Sequence, residues 1–250
     1  MSELVGRLRA AGCVFAEDEA RLLLEAADSP DSLEVLVRRR VGGEPLEHLL
    51  GWVEFCGVRL AVEPGVFVPR RRTEFLAREA AGLVRAGDVL VDLCCGCGAI
   101  AAAVAAAVPG VEVHAADLDP AAVRCARRNI AGPVYTGDLF AALPALLRGR
   151  VAVLTGNAPY VPTGAVATMP PEARLHEPRT ALDGGPDGLS ILGLLVDGAR
   201  DWLAPGGAVL VEASRAQAPA LAERVAAAGL VADIRTDDAT EATVVVGSAG

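Results

Sequence analysis

Apolar residues change their spacing along the chain, and each change marks a different kind of element. Up to about residue 40 they recur at helical intervals: Leu4, Leu8 and Ala11, then Ala20, Leu23, Leu24 and Ala27. Steps of three and four keep one face of a helix apolar. Ser29-Pro30-Asp31-Ser32 breaks the pattern and caps a third helix through Val37. Gly42-Gly43 reads as a linker. Between 51 and 68 the spacing shortens. Trp52, Val53, Phe55, Val58, Leu60 and Val62 flank Gly57, which predicts a β-hairpin turning there. Pro64-Gly65-Val66-Phe67-Val68-Pro69 then forms a stiff connector.

From Thr73 onward short apolar runs alternate with amphipathic ones. Strands are expected at Val89–Leu93, Val111–Ala116, Val134–Thr136, Val151–Thr155, Ala208–Glu212, Val231–Arg235 and Thr243–Val246. Helices fill the gaps at about 73–86, 99–108, 120–130, 188–203 and 216–228. Such alternation predicts a mainly parallel sheet covered on both faces. The connection from Thr236 to Ala242 is too short for a crossover helix, so the last two strands pair antiparallel. The expected fold is a Rossmann-like α/β sheet of seven strands, six parallel and one antiparallel. A small N-terminal helical domain (1–48) and a β-hairpin connector (49–69) precede the α/β domain (70–250). Dinucleotide dehydrogenases lack the final reversed hairpin; the seven-stranded methyltransferase sheet has it.

Composition narrows the possibilities. Hydrophobic residues are 52% of the 250, enough for a real core, and aromatics are only 4%. The net charge of −9 disfavours strong non-specific binding to nucleic acid, although Arg38-Arg39-Arg40 and Arg70-Arg71-Arg72 are local basic clusters. All 23 basic residues are Arg. Without Lys there is no Schiff-base chemistry and no phosphate-loop lysine. No secretory signal opens the chain, and the longest apolar run, Ala99 to Val108, falls well short of the roughly 20 residues of a membrane helix. These features predict a soluble, cytoplasmic protein with its six Cys as free thiols.

Three strand ends carry the candidate cofactor chemistry. Val89–Leu93 runs into Cys94-Cys95-Gly96-Cys97-Gly98 and then a helix. Such a turn lets a ligand approach the backbone and the helix N-terminus, though it also serves as a plain tight connection. The second strand is followed by Asp117, whose carboxylate can accept both hydroxyls of a ribose. Capping the Pro120 helix is the other role open to it, and Asp119 is better placed for that. The third strand ends Gly137-Asp138-Leu139-Phe140, either an ordinary strand-end turn or a polar contact and an apolar lid for an adenine. Ile100 and Ala101 stand where a dinucleotide fingerprint carries its third glycine. Together these features favour an adenosyl ligand without pyrophosphate, and S-adenosylmethionine fits, its carboxylate meeting the helix N-terminus and the Arg70 region. Cys94, Cys95 and Cys97 follow no common zinc spacing, so the reading is of small thiols filling the turn and no metal.

The fourth strand ends Thr155-Gly156-Asn157-Ala158-Pro159-Tyr160. Asn-x-Pro can be a simple turn. It also resembles the (N/D)PP(Y/F) motif of methyltransferases acting on planar, amide-like nitrogens. A delocalised nitrogen lone pair is a poor nucleophile and must be held in line with the methyl donor. The Asn157 side-chain carbonyl and the Ala158 backbone carbonyl can each accept one N–H, and the Tyr160 ring offers a stacking surface. Pro159 stiffens the loop.

Further segments extend the resemblance. They are Glu44-Pro45-Leu46-Glu47-His48-Leu49-Leu50-Gly51, Glu54-Phe55, Val66–Pro69 leading into Arg70-Arg71-Arg72-Thr73-Glu74, Asp92-Leu93 through Gly98-Ala99-Ile100, Glu177-Pro178, and Ala181–Leu189. The chain resembles the HemK/PrmC family of protein-(glutamine N5) methyltransferases along most of its length. The resemblance implies that Asp92, Cys94, Cys95, Gly96, Cys97, Gly98, Asp117, Leu118, Asp138, Leu139 and Asn157 meet S-adenosylmethionine. It implies that Phe67, Arg70 and Thr73 close over the cofactor, and that Asn157, Ala158, Pro159 and Tyr160 hold the glutamine side chain. In that family the glutamine belongs to the Gly-Gly-Gln loop of peptide chain release factors, which the N-terminal helical domain helps to dock. Three features depart from the pattern: Cys94 replaces the first glycine of the turn and Cys97 another small residue, Ala158 replaces the first proline, and the region before Glu44 is short. An N6-adenine or N2-guanine nucleic-acid methyltransferase shares the acceptor motif. The acidic charge and the segments around Arg70 and Glu177 argue against it. A cofactor-binding protein without activity is the third reading.

Overall fold

A computed structural model describes all 250 residues. The N-terminal part holds α1 (Ser2–Ala10), α2 (Ala16–Ala26), α3 (Pro30–Val41) and α4 (Leu46–Leu50). Ser29 caps α3 through a reciprocal pair of hydrogen bonds with Ser32, as the sequence suggests. Leu4, Leu8, Ala20, Leu23 and Val37 form a small core of their own. Leu24 faces outward instead, because the helix turns it away from Leu23. Arg40 and Glu19 form a buried ion pair, and His48 Nε2 meets the Val66 carbonyl at 2.9 Å, which ties α4 to the connector.

The hairpin is β1 (Trp52–Phe55) and β2 (Val58–Ala61), turning through Cys56 and Gly57, both with positive φ. After the connector come α5 (Thr73–Ala81), β3 (Val89–Leu93), α6 (Ala99–Ala107), β4 (Glu112–Asp117), α7 (Pro120–Ala126), β5 (Val134–Thr136) and β6 (Val151–Gly156). The chain continues with α8 (Pro171–His176), α9 (Ser190–Ala199), β7 (Leu203–Glu212), α10 (Ala218–Ala227), β8 (Val231–Asp237) and β9 (Ala242–Ser248).

The sheet order is β5-β4-β3-β6-β7-β9-β8. β9 runs antiparallel to both neighbours, and the other six strands are parallel. This is the expected seven-stranded sheet with its single reversed strand. One face packs against α5, α6, α7 and the hairpin, the other against α9 and α10. The pleat sorts side chains between the faces: Leu90 goes to the first, Val91 and Leu93 to the second. The order reverses direction between β3 and β6, and such a switch point opens a crevice at the carboxyl ends of the strands. No helix is long and apolar enough to cross a membrane.

Several expected helices are shorter in the structure. α5 ends at Ala81, although Val84 continues the apolar pattern as a buried turn residue. α9 ends at Ala199 because Leu203 already begins β7.

Candidate active site

A cavity of about 560 Å³ opens at the switch point. The turn after β3, the ends of β4 and β5 and the loop after β6 converge on it. The connector closes one side and residues 178–182 another. Of the residues singled out in the sequence, Phe67, Arg70, Thr73, Cys94, Cys95, Gly96, Cys97, Asp117, Leu118, Asp138, Leu139, Asn157, Ala158, Pro159 and Tyr160 line it.

Asp92 and Gly98 do not. Asp92 alternates with Val91 and Leu93, so its side chain turns beneath α6 and is fully buried, with Thr155 Oγ1 donating to Oδ1 at 2.9 Å. Burial pushes its carboxyl up to about 7. Gly98 packs so tightly that an added Cβ would lie 2.5 Å from Ile130 Cδ1, and its φ of 82° starts α6. Both residues shape the turn from behind.

The turn itself is braced. Asp117 Oδ2 accepts from Gly96 N at 2.8 Å, and Oδ1 accepts from Asp119 N at 2.9 Å. Each oxygen keeps a further lone pair. Burial raises the Asp117 pKa, opposed by these two N–H donors. Asp119 caps α7, its side chain accepting from Ala121 N at 2.8 Å, so Asp117 is released from that task. Asn129 clamps the turn to the hairpin, donating to both Cys97 O and Ala61 O at 2.8 Å. Two non-glycine residues on the wall, Cys94 (φ 55°) and Leu139 (φ 43°), adopt left-handed backbone, a conformation that persists only where surroundings enforce it. Burial holds the Cys94 and Cys95 thiols far above their ordinary pKa and pushes Cys97 up to about 12. No group of three or more His, Cys, Asp or Glu side chains is placed to hold a metal ion.

Arg70 does not stand free. Its Nη2 donates to both Glu177 oxygens at 2.7 and 2.6 Å, and its guanidinium lies 4.8 Å from the Phe67 ring centroid. The Glu177 side chain is wholly buried and also accepts from Val68 N. Burial raises its pKa against the pull of Arg70.

The acceptor loop is held on three sides. Asn157 Nδ2 donates to Thr73 Oγ1 at 3.1 Å, and Asn157 Oδ1 accepts no hydrogen bond from the protein. The Ala158 carbonyl is likewise unpaired. Tyr160 O–H donates to Glu212 Oε1 at 2.9 Å, and the Tyr160 carbonyl accepts from Gln217 Nε2 at 2.9 Å. Behind the loop Gly188, with φ of 77°, passes so close that a Cβ would meet the Tyr160 carbonyl oxygen at 2.2 Å. Glycine is required there, which explains part of the 181–189 segment. Glu177, Glu212 and Gln217 were not legible as site residues. The only hint of Glu212 is an acid closing the apolar run Val209-Leu210-Val211.

Among parallel α/β sheets, the one that inserts a reversed final strand and whose switch-point turn has no third glycine for a pyrophosphate is that of methyltransferases. The family described as Methyltransferase small domain matches residues 58–160. The chain is 44% identical over 184 residues to the release factor glutamine methyltransferase of Streptomyces coelicolor, covering 71% of this chain and 65% of that one. It is 36% identical over 258 residues to the enzyme of that name from Deinococcus radiodurans, covering 95% and 92%. A 4-amino-L-phenylalanine/4-methylamino-L-phenylalanine methyltransferase of Streptomyces pristinaespiralis is 40% identical over 186 residues, 70% of this chain and 63% of that one. The chain belongs to the release factor glutamine methyltransferase family. Its match spans just under two thirds of the first and third relatives and nearly all of the second.

Proposed function

We propose that the protein transfers a methyl group from S-adenosylmethionine to the side-chain amide nitrogen (N5) of a glutamine in a protein, the Gly-Gly-Gln loop of a peptide chain release factor. The observation that carries this reading is the pair of unpaired acceptors in one cavity wall, Asn157 Oδ1 and the Ala158 carbonyl. A primary amide has two N–H donors, and two fixed acceptors hold both.

When bound, S-adenosylmethionine supplies a sulfonium methyl that moves to nitrogen as its bond to sulfur breaks. The residues around it fit such a group. Asp117 keeps acceptor capacity for two ribose hydroxyls, Leu118 and Leu139 give apolar cover for an adenine, and Asp138 gives a polar contact for its edge. Gly96 and its neighbours let the ligand approach the backbone. Phe67, Arg70 and Thr73 close the methionine end.

Asn157 and Ala158 hold the acceptor nitrogen and stabilise the positive charge that grows on it during transfer. The Tyr160 ring stacks on the planar amide, and Pro159 limits loop motion. The amide proton leaves to water after transfer, so no strong base is needed. Helices α1–α4, within residues 1–48 and just beyond, serve to dock the release factor, and the hairpin within 49–69 joins them to the methyltransferase domain, 70–250. The reaction belongs to the cytoplasm, where release factors act.

A second reading has an observation in its favour: the similarity to a methyltransferase of an aromatic amine. An aniline nitrogen is delocalised much as an amide is. Incubation with labelled cofactor and either a release factor, its Gln-to-Ala variant or 4-amino-L-phenylalanine separates the two. Label that requires the glutamine supports the first reading, and label in the free amino acid alone overturns it.

A further inference from the structure

We propose that Asn129 is a positioning residue for the cofactor: its side-chain amide locks onto the backbone of the β-hairpin and delivers its remaining N–H to the Cys97 carbonyl, which sets the shape of the cofactor turn. The proposal rests on the reading of the cavity as the S-adenosylmethionine site.

Asn129 follows α7 and is not among the residues that line the cavity. Nor is Ala61, the last residue of β2. Ala61 stands opposite Trp52 in the hairpin, and the adjacent Val62 N donates to Gly51 O. Opposed pairs in an antiparallel ladder alternate between bonded and non-bonded. Ala61 therefore turns both its N–H and its carbonyl away from β1, and both go to one side chain. Ala61 N donates to Asn129 Oδ1 at 2.8 Å, and Asn129 Nδ2 donates to Ala61 O at 2.8 Å.

This two-point contact settles which end of the amide is which, since only its nitrogen donates and only its oxygen accepts. One Nδ2 proton is left over, and Cys97 O takes it at 2.8 Å. A peptide unit is flat and trans, so its N–H points opposite to its C=O. Gripping Cys97 O therefore aims the Gly98 N–H, which closes the turn on Cys95 O at 2.7 Å. Gly98, at φ 82°, offers little resistance of its own to rotation of this peptide, because glycine tolerates a wide range of φ. The grip on Cys97 O supplies that resistance. Gly96, Cys97 and Ile100 around this peptide line the cavity. Asn129 thus acts on the cofactor through the turn and couples the turn to the hairpin.

The test is Asn129→Ala and Asn129→Asp in the full chain, each assayed below its melting temperature. Asn129→Ala removes every one of these bonds. Asn129→Asp keeps an acceptor for Ala61 N and loses both donors. Each should raise the S-adenosylmethionine Kd by calorimetry about 10-fold, the effect of leaving a buried carbonyl without its donor. KM for the cofactor should rise with it, and kcat at saturating cofactor should stay within about twofold. A residue that only stabilised the fold would lower the folded fraction and leave the Kd of the folded molecule unchanged. Hydrogen exchange gives a second readout, outside the cavity. The cofactor should slow exchange of the wild-type Ala61 amide about fivefold or more, because coupling between two sites is reciprocal. In Asn129→Asp that response should vanish, although the amide keeps its acceptor. A Kd within about twofold of the wild type in either folded variant overturns the proposal. So does a wild-type Ala61 amide indifferent to the cofactor. If the wild type binds no S-adenosylmethionine, the function proposed above fails and this proposal with it. If the wild type binds it and Asn129→Ala binds it equally well, this proposal alone fails.

Discussion

The Asn157 side-chain nitrogen donates to the Thr73 hydroxyl at 3.1 Å and so joins the loop after β6 to the first residue of α5, 84 positions earlier. This bond uses one N–H of the amide and leaves its carbonyl oxygen without a protein partner on the cavity wall. Replacing Asn157 should therefore damage chemistry far more than cofactor capture. Asn157→Ala is expected to lower the methyl-transfer rate by 100-fold or more, on the order of 3 kcal/mol of transition-state stabilisation. Cofactor affinity from calorimetry should change little. Equal losses in both would place Asn157 in the cofactor site alone.

Asp117 is expected to govern affinity instead. Its carboxylate braces Gly96 at 2.8 Å and keeps lone pairs for a ribose. Asp117→Ala should weaken S-adenosylmethionine binding about 10- to 100-fold, the worth of one or two hydrogen bonds to a charged group. Because burial raises the Asp117 pKa, affinity should also fall as pH drops through that raised value, where protonation removes acceptor capacity. Titration calorimetry across pH measures both, and an affinity indifferent to Asp117 contradicts the assignment.

Arg70 and Glu177 make a pair whose two ends differ in burial: the Glu177 side chain is fully enclosed and Arg70 is 31% exposed. Arg70→Met strands a buried carboxylate and should cost about 2–4 kcal/mol, toward the lower end for a partly solvated pair. The double variant Arg70→Met with Glu177→Gln should recover most of that stability but not cofactor affinity. Urea denaturation beside calorimetry separates the two effects. Recovery of affinity in the double variant would show that Arg70 only neutralises Glu177.

Asp92 should make the fold less stable as pH rises. Its folded pKa is raised to about 7 from 3.8. Below the lower value both folded and unfolded chains hold the proton. Between the two, only the folded chain does, so stability falls with rising pH and levels off above the folded value. Asp92→Asn should abolish this slope and leave the protein more stable at pH 8, by up to about 4 kcal/mol. Denaturation midpoints at pH 5 and pH 8 test it. A slope that survives in the variant belongs to other groups.

Cys94 occupies left-handed backbone at φ 55°. Cys94→Gly should be tolerated, whereas the β-branched Cys94→Val should cost about 1–3 kcal/mol and weaken cofactor binding, since branched side chains fit that region poorly. Thermal unfolding with and without S-adenosylmethionine reads both.

The strands, their parallel order and the single reversed strand were legible because buried parallel strands are short apolar runs with clear boundaries. The turn at 94–98 and the loop at 157–160 were legible because they lie beside those runs. Asp92 was misplaced by its nearness to the turn: pleat alternation, not sequence distance, sends it beneath α6. The pairing of Arg70 with Glu177 is not legible in the sequence, since the two lie 107 positions apart. Glu212 was invisible for the same reason. Only the sheet brings the end of β7 beside Thr73 and Tyr160. The six-residue α8 is too short to show a helical period.

The central claim is methyl transfer to one glutamine amide, and tandem mass spectrometry of a release factor after incubation with the protein and methyl-labelled S-adenosylmethionine tests it most directly. The account predicts one added methyl on the side-chain nitrogen of the Gly-Gly-Gln glutamine, absent with Asn157→Ala. Label confined to RNA or to a small aromatic amine, or methyl found elsewhere on the release factor, would contradict it.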